Sequence, residues 1–147
     1  MASSAPPAVP DTSVVLKWFL HDQEPLRPQA LALRRAFLQG TMHLIVPDLL
    51  WYEVANVLRY KPEWDAAQVE LAVHSLFALK LEAVPVTVEL LASALALAFA
   101  CGITVYDAAF VAVAVARGAE FVSADERLIR KLAGRSLARS LRTFPVD

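Results

Sequence analysis

The chain has 147 residues, 57% of them hydrophobic and 20% charged, with a formal net charge of −1. This length fits one domain with a substantial core, and this composition excludes a disordered chain. The single cysteine, Cys101, excludes an internal disulfide and has no His or Cys at metal-ligand spacing, so it reads as a small buried residue in a reducing, cytoplasmic setting.

Residues 1–7 read as a short Pro/Ala/Ser tail, without the basic and apolar blocks of a signal peptide. Residues 8–147 are expected to form a single domain. Val9 to Asp11 looks like the end of a first strand, with Pro10 an awkward presence in it. Ser13–Leu20 reads as a turn or two of helix. Gln29–Gln39 is helical and stops at Gly40. His43–Val46 is a buried strand. Pro47 and Asp48 open a helix through Tyr60, and Asp65 caps another through about Ala78. Leu81–Pro85 is a third strand. Val88–Ala100 and Val105–Arg117 are helices joined by the sequence CGIT. Glu120–Ser123 is a fourth strand, Glu126–Ala133 a helix, and Leu141–Phe144 a candidate last strand. Strands alternating with helices predict an α/β fold with a mostly parallel sheet. The uncharged run from Leu90 to Tyr106 is at the short limit for a membrane span and is read as two packed core helices.

Charge is unevenly placed. Residues 1–126 carry a net −6, whereas residues 127–146 carry a net +6 from Arg127, Arg130, Lys131, Arg135, Arg139 and Arg142. Such asymmetry suits either a solvated helix face or a segment facing a polyanion.

Three aspartates stand at the margins of apolar runs, and one glutamate lies within such a run. Asp11 follows the first strand and Asp125 the fourth. Asp107 falls in the first turn of the helix after CGIT. Glu53 lies on the helix after the second strand, leaning back toward that helix's N-terminus. In open parallel sheets, ligands bind outside the carboxyl ends of the strands, so all four can share one rim. Each also has a plain structural reading. Asp11 can cap the next helix, and Thr104-Val-Tyr-Asp107 and Ser123-Ala-Asp-Glu126 each fit a capping box. Glu53 and Asn56 share what little polar face their helix has. Four carboxylates in one cleft repel one another, and a hard divalent cation such as Mg²⁺ or Mn²⁺ relieves that repulsion. Phosphodiester hydrolysis is the associated chemistry.

The blocks Asp11-Thr12-Ser13-Val14 with Lys17-Trp18, Glu53-Val-Ala-Asn56-Val-Leu58, Tyr106-Asp107-Ala108 and Ser123-Ala-Asp125-Glu-Arg-Leu128 resemble those of the PIN-domain nucleases. The nearest likeness is to VapC-like toxins of toxin–antitoxin pairs, over about residues 9–146. The resemblance implies a three-layer α/β/α fold and a Mg²⁺- or Mn²⁺-dependent endoribonuclease. It implies an acidic metal-binding cluster of Asp11, Glu53, Asp107 and Asp125, supported by Ser123, Asn56 and Thr12. It implies RNA as substrate, with tRNA a candidate, a cognate antitoxin that blocks the cleft, and a homodimer. Glu126 is an alternative carboxylate for the cluster. Arg127, Arg130 and Lys131 are candidate RNA contacts, and Trp18 or Trp51 could stack on a base or pack in the core. The rival reading is a non-catalytic PIN-like module that binds RNA or a protein. A haloacid-dehalogenase-type phosphatase is disfavoured because Ser13 stands where a second Asp is required.

Overall fold

The first strand carries a proline at each end, yet it is the centre of the sheet. In the computed structural model, which describes residues 4–21, 23–135 and 137–147, β1 (Pro7–Pro10) lies between β2 (His43–Pro47) and β4 (Glu120–Ser123). β3 (Glu82–Val84) and β5 (Ala138–Ser140) form the edges, giving the order β3-β2-β1-β4-β5 with every pairing parallel. Pro10 is tolerated for a local reason. The Asp11 N–H bonds Val122 O on β4 at 3.0 Å, so the preceding amide position faces β2. The register with β2 ends at Ala8–Leu44, so no ladder bond is lost at Pro10. The strand begins at Pro7, inside the segment expected to be a tail, and residues 1–3 of that tail lie outside the described residues.

The helices are α1 (Thr12–Val15), α2 (Arg27–Leu38), α3 (Leu49–Arg59), α4 (Ala66–Ala78), α5 (Val88–Cys101), α6 (Val105–Arg117) and α7 (Glu126–Lys131). With the right-handed crossovers that are the rule for parallel strands, this order puts α1–α4 on one face as the chain steps from β1 to β3, and α5–α7 on the other as it returns through β4 to β5. The result is the three-layer α/β/α fold expected from the sequence. The core between the layers includes Val9, Val14, Leu44, Ile45, Leu50, Phe110 and Phe121, each at most 1% exposed. α6 buries Ala108 and every residue from Phe110 to Ala114, as its nearly uninterrupted apolar sequence demands.

Capping residues set several boundaries. Asp65 and Gln68 form a reciprocal capping box at α4. Thr104 caps α6 by accepting from the Asp107 N–H. Gly102, with φ of 65°, ends α5 in the left-handed conformation, which costs glycine little. The chain then bends by 116° into α6. No single helix among the described residues is long and apolar enough to cross a membrane; only the α5–α6 pair taken together would be.

Two expectations need correction. Leu141–Thr143 is a turn of 3₁₀ helix, and the last strand is Ala138–Ser140. Leu141 and Phe144 bury their side chains three residues apart, the repeat of a 3₁₀ turn rather than the alternation of a strand. Cys101 is only partly buried.

Candidate active site

The strand order reverses at β1. β2 and β3 lie to one side of it, and β4 and β5 to the other. The carboxyl ends of β1 and β4 therefore flank the switch-point crevice where α/β sheets bind ligands. Asp11 follows β1 there, and Ser123 and Asp125 stand at the end of β4.

Asp11 is 6% exposed and is held on both carboxylate oxygens. Ser13 Oγ donates to Oδ1 at 2.5 Å, Ser123 Oγ donates to Oδ2 at 2.6 Å, and the Val14 N–H reaches Oδ1 at 3.4 Å. Asp11 is thus both the cap of α1 and a member of the crevice, so its two readings coexist. Both serines in turn hold the turn after β4. Ser13 Oγ accepts the Ala124 N–H and Ser123 Oγ accepts the Asp125 N–H, each at 3.0 Å. Asp125 caps α7 by accepting the Leu128 N–H at 3.1 Å, displacing Ser123 from the capping role that the sequence allowed it.

Glu53 is half-buried on α3, and Thr12 Oγ1 donates to its Oε1 at 2.6 Å. Asp107 is half-buried in the first turn of α6. Asn56 is exposed, three residues further along α3, and makes no hydrogen bond to the four acids among the described residues.

Electrostatics tie the acids together. Burial pushes the Asp11 carboxyl up to about 6, against the downward pull of Ser123, Ser13 and the Val14 N–H, and the Asp107 charge pushes it further up. Burial also raises Glu53, with Thr12 opposing and Asp107 adding to the rise. Burial raises Asp107 as well, with Thr104 opposing, Asp125 adding and Lys131 relieving it. Among the described residues, no Lys, Arg or His forms an ion pair with any of the four.

The donor set suits a hard divalent cation, being carboxylates and hydroxyls that carry uncompensated negative charge. The side chains do not converge as a ready-made chelate, since no group of three or more His, Cys, Asp or Glu among the described residues is placed to hold an ion. A cation that keeps several waters needs only one or two direct carboxylates, so the arrangement fits Mg²⁺ or Mn²⁺ in that manner.

Other candidates separate. Glu126 accepts from Ser140 Oγ and pairs with Arg142 at 3.7 Å, so it is engaged with β5 rather than with the cluster. Trp18 is buried and donates to Ala30 O at 2.8 Å, and Trp51 packs on Phe77 with ring centroids 4.4 Å apart. Arg127 and Lys131 line a cleft of about 370 Å³ with Asp107 and Asp125, whereas Arg130 does not line it. Ser13 was missed as a site residue. Its only sequence signal is its place two residues after Asp11, and its partner Ala124 is 111 residues away.

Solved structures share this architecture. PAE2754 from Pyrobaculum aerophilum superposes with a TM-score of 0.66 at 20% identity, covering 97% of this chain and 94% of its own. A toxin–antitoxin complex from Klebsiella pneumoniae gives 0.66 at 16% identity, with 91% and 97% covered. VapBC2 from Rickettsia felis, bound to a DNA fragment from its promoter, gives 0.64 at 12% identity, with 91% and 98% covered. At these identities the likeness concerns the fold. No curated protein sequence matches the chain. The profile of the PIN domain matches residues 8–134, and the chain belongs to the PIN domain family.

Proposed function

We propose that this protein is a metal-dependent endoribonuclease and the toxin of a VapBC-type toxin–antitoxin pair. What supports the reading is that Asp11, Glu53 and Asp125 each lie close enough to Asp107 for their charges to interact, in a chain of the PIN domain family. Mg²⁺, with Mn²⁺ as substitute, would be held among these four carboxylates, one or two directly and the others through its waters. When bound, such a cation supplies Lewis-acid polarisation of a phosphodiester and a water nucleophile at neutral pH.

The chain's own residues prepare that site. Ser13, Ser123 and the Val14 N–H fix both oxygens of Asp11, so the carboxylate enters the reaction already oriented. Thr12 does the same for Glu53. With Asp11 titrating at about 6, its carboxylate is charged at neutral pH and loses that charge as pH falls through about 6. Single-stranded loops of a folded RNA such as tRNA are the substrate class, because their bases and backbone are accessible.

A homodimer is part of the proposal. Exposed apolar side chains form a stripe on α5 (Val88, Leu91, Leu95 and Phe99), with Phe99 87% exposed. An antitoxin that inserts a basic side chain into the acidic crevice would inhibit the enzyme by occupying the cation's charge position.

The test is incubation of the purified chain with a mixed tRNA pool in Mg²⁺, Mn²⁺ or EDTA, beside Asp107→Asn. Discrete metal-dependent cuts that vanish in the variant support the proposal. Equal cleavage by both proteins indicates contamination. RNA binding without cleavage in any metal replaces the proposal with the non-catalytic module.

A further inference from the structure

The six cations of the C-terminal segment are not equivalent in space. Arg139 pairs with Glu120 at 3.2 Å, donates to Thr143 O and lies over the Phe144 ring. Arg142 pairs with Glu126. Arg135 lines a different cavity, between α6 and the loop before β5. Only Arg127 and Lys131 line the cleft that opens beside Asp107 and Asp125. They stand four residues apart on α7 and therefore share one helical face.

That cleft is polarised. Asp107 and Asp125 supply negative charge from the crevice, and Arg127 and Lys131 supply positive charge beside it. Arg127 is exposed and has no carboxylate partner among the described residues. Lys131 Nζ donates to Gly102 O at 3.0 Å, which ties α7 to the α5–α6 turn and uses one of its three donors. Thr104 completes the wall opposite α7. A ligand that suits both halves carries one negative group over the acids, bridged by a cation, and another on the arginine and lysine. Consecutive phosphodiesters of one nucleic acid strand have that form.

We infer that Arg127 and Lys131 form a subsite for the phosphate next to the scissile one, fixing where a single strand runs across the acidic crevice. The inference rests on the ribonuclease reading and adds the path of the substrate. It also assigns the charge asymmetry of the sequence: two of the six cations face the reaction, while Arg130, which does not line the cleft, and Arg135, Arg139 and Arg142 serve the fold or another surface.

The experiment measures RNA binding apart from cleavage. A Glu53→Gln background removes a candidate metal ligand that does not line this cleft. A labelled single-stranded RNA of mixed sequence is titrated by fluorescence anisotropy over a KCl series at fixed Mg²⁺. Removing one phosphate-binding cation from a single-strand site flattens the plot of log affinity against log salt by about 0.7. Arg127→Ala and Lys131→Ala are expected to flatten it by about that amount each, Arg127→Lys to preserve it, and Arg135→Ala to leave it unchanged. Arg127 has no ion pair to lose among the described residues, so its substitution is expected to leave the fold intact even if Lys131→Ala loosens α7. Parallel salt plots for all variants, beside normal cleavage by the unaltered chain, overturn the subsite alone. Absence of RNA binding in every variant and of cleavage by the unaltered chain overturns the subsite and the ribonuclease reading together.

Discussion

Asp11→Asn is expected to make the metal-free protein more stable at neutral pH while removing its function. The Asp11 carboxyl is 6% exposed and titrates at about 6 in the fold, against 3.8 for the unperturbed group. A folded pKa above the unfolded one means that the stabilising contribution is full below 3.8 and is lost as pH rises through about 6. At about 1.4 kcal/mol per pH unit, that interval corresponds to about 3 kcal/mol. Asparagine fills nearly the same volume and does not titrate. The stability difference between variant and parent should therefore widen by about 2 kcal/mol in the variant's favour between pH 4 and pH 7.5, the rest of the interval lying below pH 4. Urea unfolding in EDTA, followed by tryptophan fluorescence, measures it, with the buried Trp18 as one reporter. Added Mg²⁺ at pH 7.5 should stabilise the parent and have a smaller effect on the variant. Parallel pH profiles for the two proteins would refute the reasoning, because they would show that no buried carboxylate at this position is being ionised against the fold.

Other perturbations probe separate parts of the molecule. Ser13→Ala removes a charge-assisted bond to Asp11 and leaves the Ala124 N–H without its partner, a loss of about 1.5–3 kcal/mol; the acidic limb of the pH–rate profile should move to higher pH, since Ser13 holds the Asp11 pKa down. Phe110→Ala empties a site that is 1% exposed in the middle of α6 and should destabilise by about 3–5 kcal/mol in the same urea assay. Glu82 bonds Arg117 and His43, with Arg117 the larger cause of a pKa lowered to about 2. Its contribution is present above 4.5 and is lost as pH falls through about 2; with the side chain 36% exposed, solvent screening limits the loss in Glu82→Gln to about 1 kcal/mol at neutral pH, read as a shift in urea midpoint that disappears in acid.

The sequence disclosed most of the fold because its boundaries are chemical. Thr104 and Gly118 bracket α6 with a hydroxyl cap and a left-handed stop, and the expected limits Val105–Arg117 are the observed ones. β4 matched for a similar reason, being a short apolar run that ends at Ser123. β5 was illegible because Ala-Arg-Ser has no strand pattern of its own; it is a strand only through its pairing with β4. Asp11, Asp107 and Asp125 were legible as acids at the ends of apolar runs, and Glu53 as the lone acid within one. The hydroxyl network was not, since nothing local tells Ser13 that Ala124 lies within 3.0 Å. Composition showed the basic segment but could not divide it. Arg139 and Arg142 meet Glu120 and Glu126 only after β5 docks.

The site is built with neutral donors where cations would have been more stabilising. Asp11 has Ser13 and Ser123, Glu53 has Thr12, and Asp107 has Thr104. A hydroxyl lowers a carboxyl's pKa by bonding its charged form, but it leaves the charge in place. A lysine would lower the pKa and cancel the charge as well. The fold thus keeps repulsion among acids that it could have neutralised, and under the proposed function that residual charge is what would attract a divalent cation. Thr12→Lys tests this directly. Placed beside Glu53, the ammonium should raise the thermal midpoint of the metal-free chain. It should also shrink the further rise that Mg²⁺ produces, because the two cations compete for the same charge. A Mg²⁺ response undiminished by Thr12→Lys would mean that Glu53 takes no part in holding the ion.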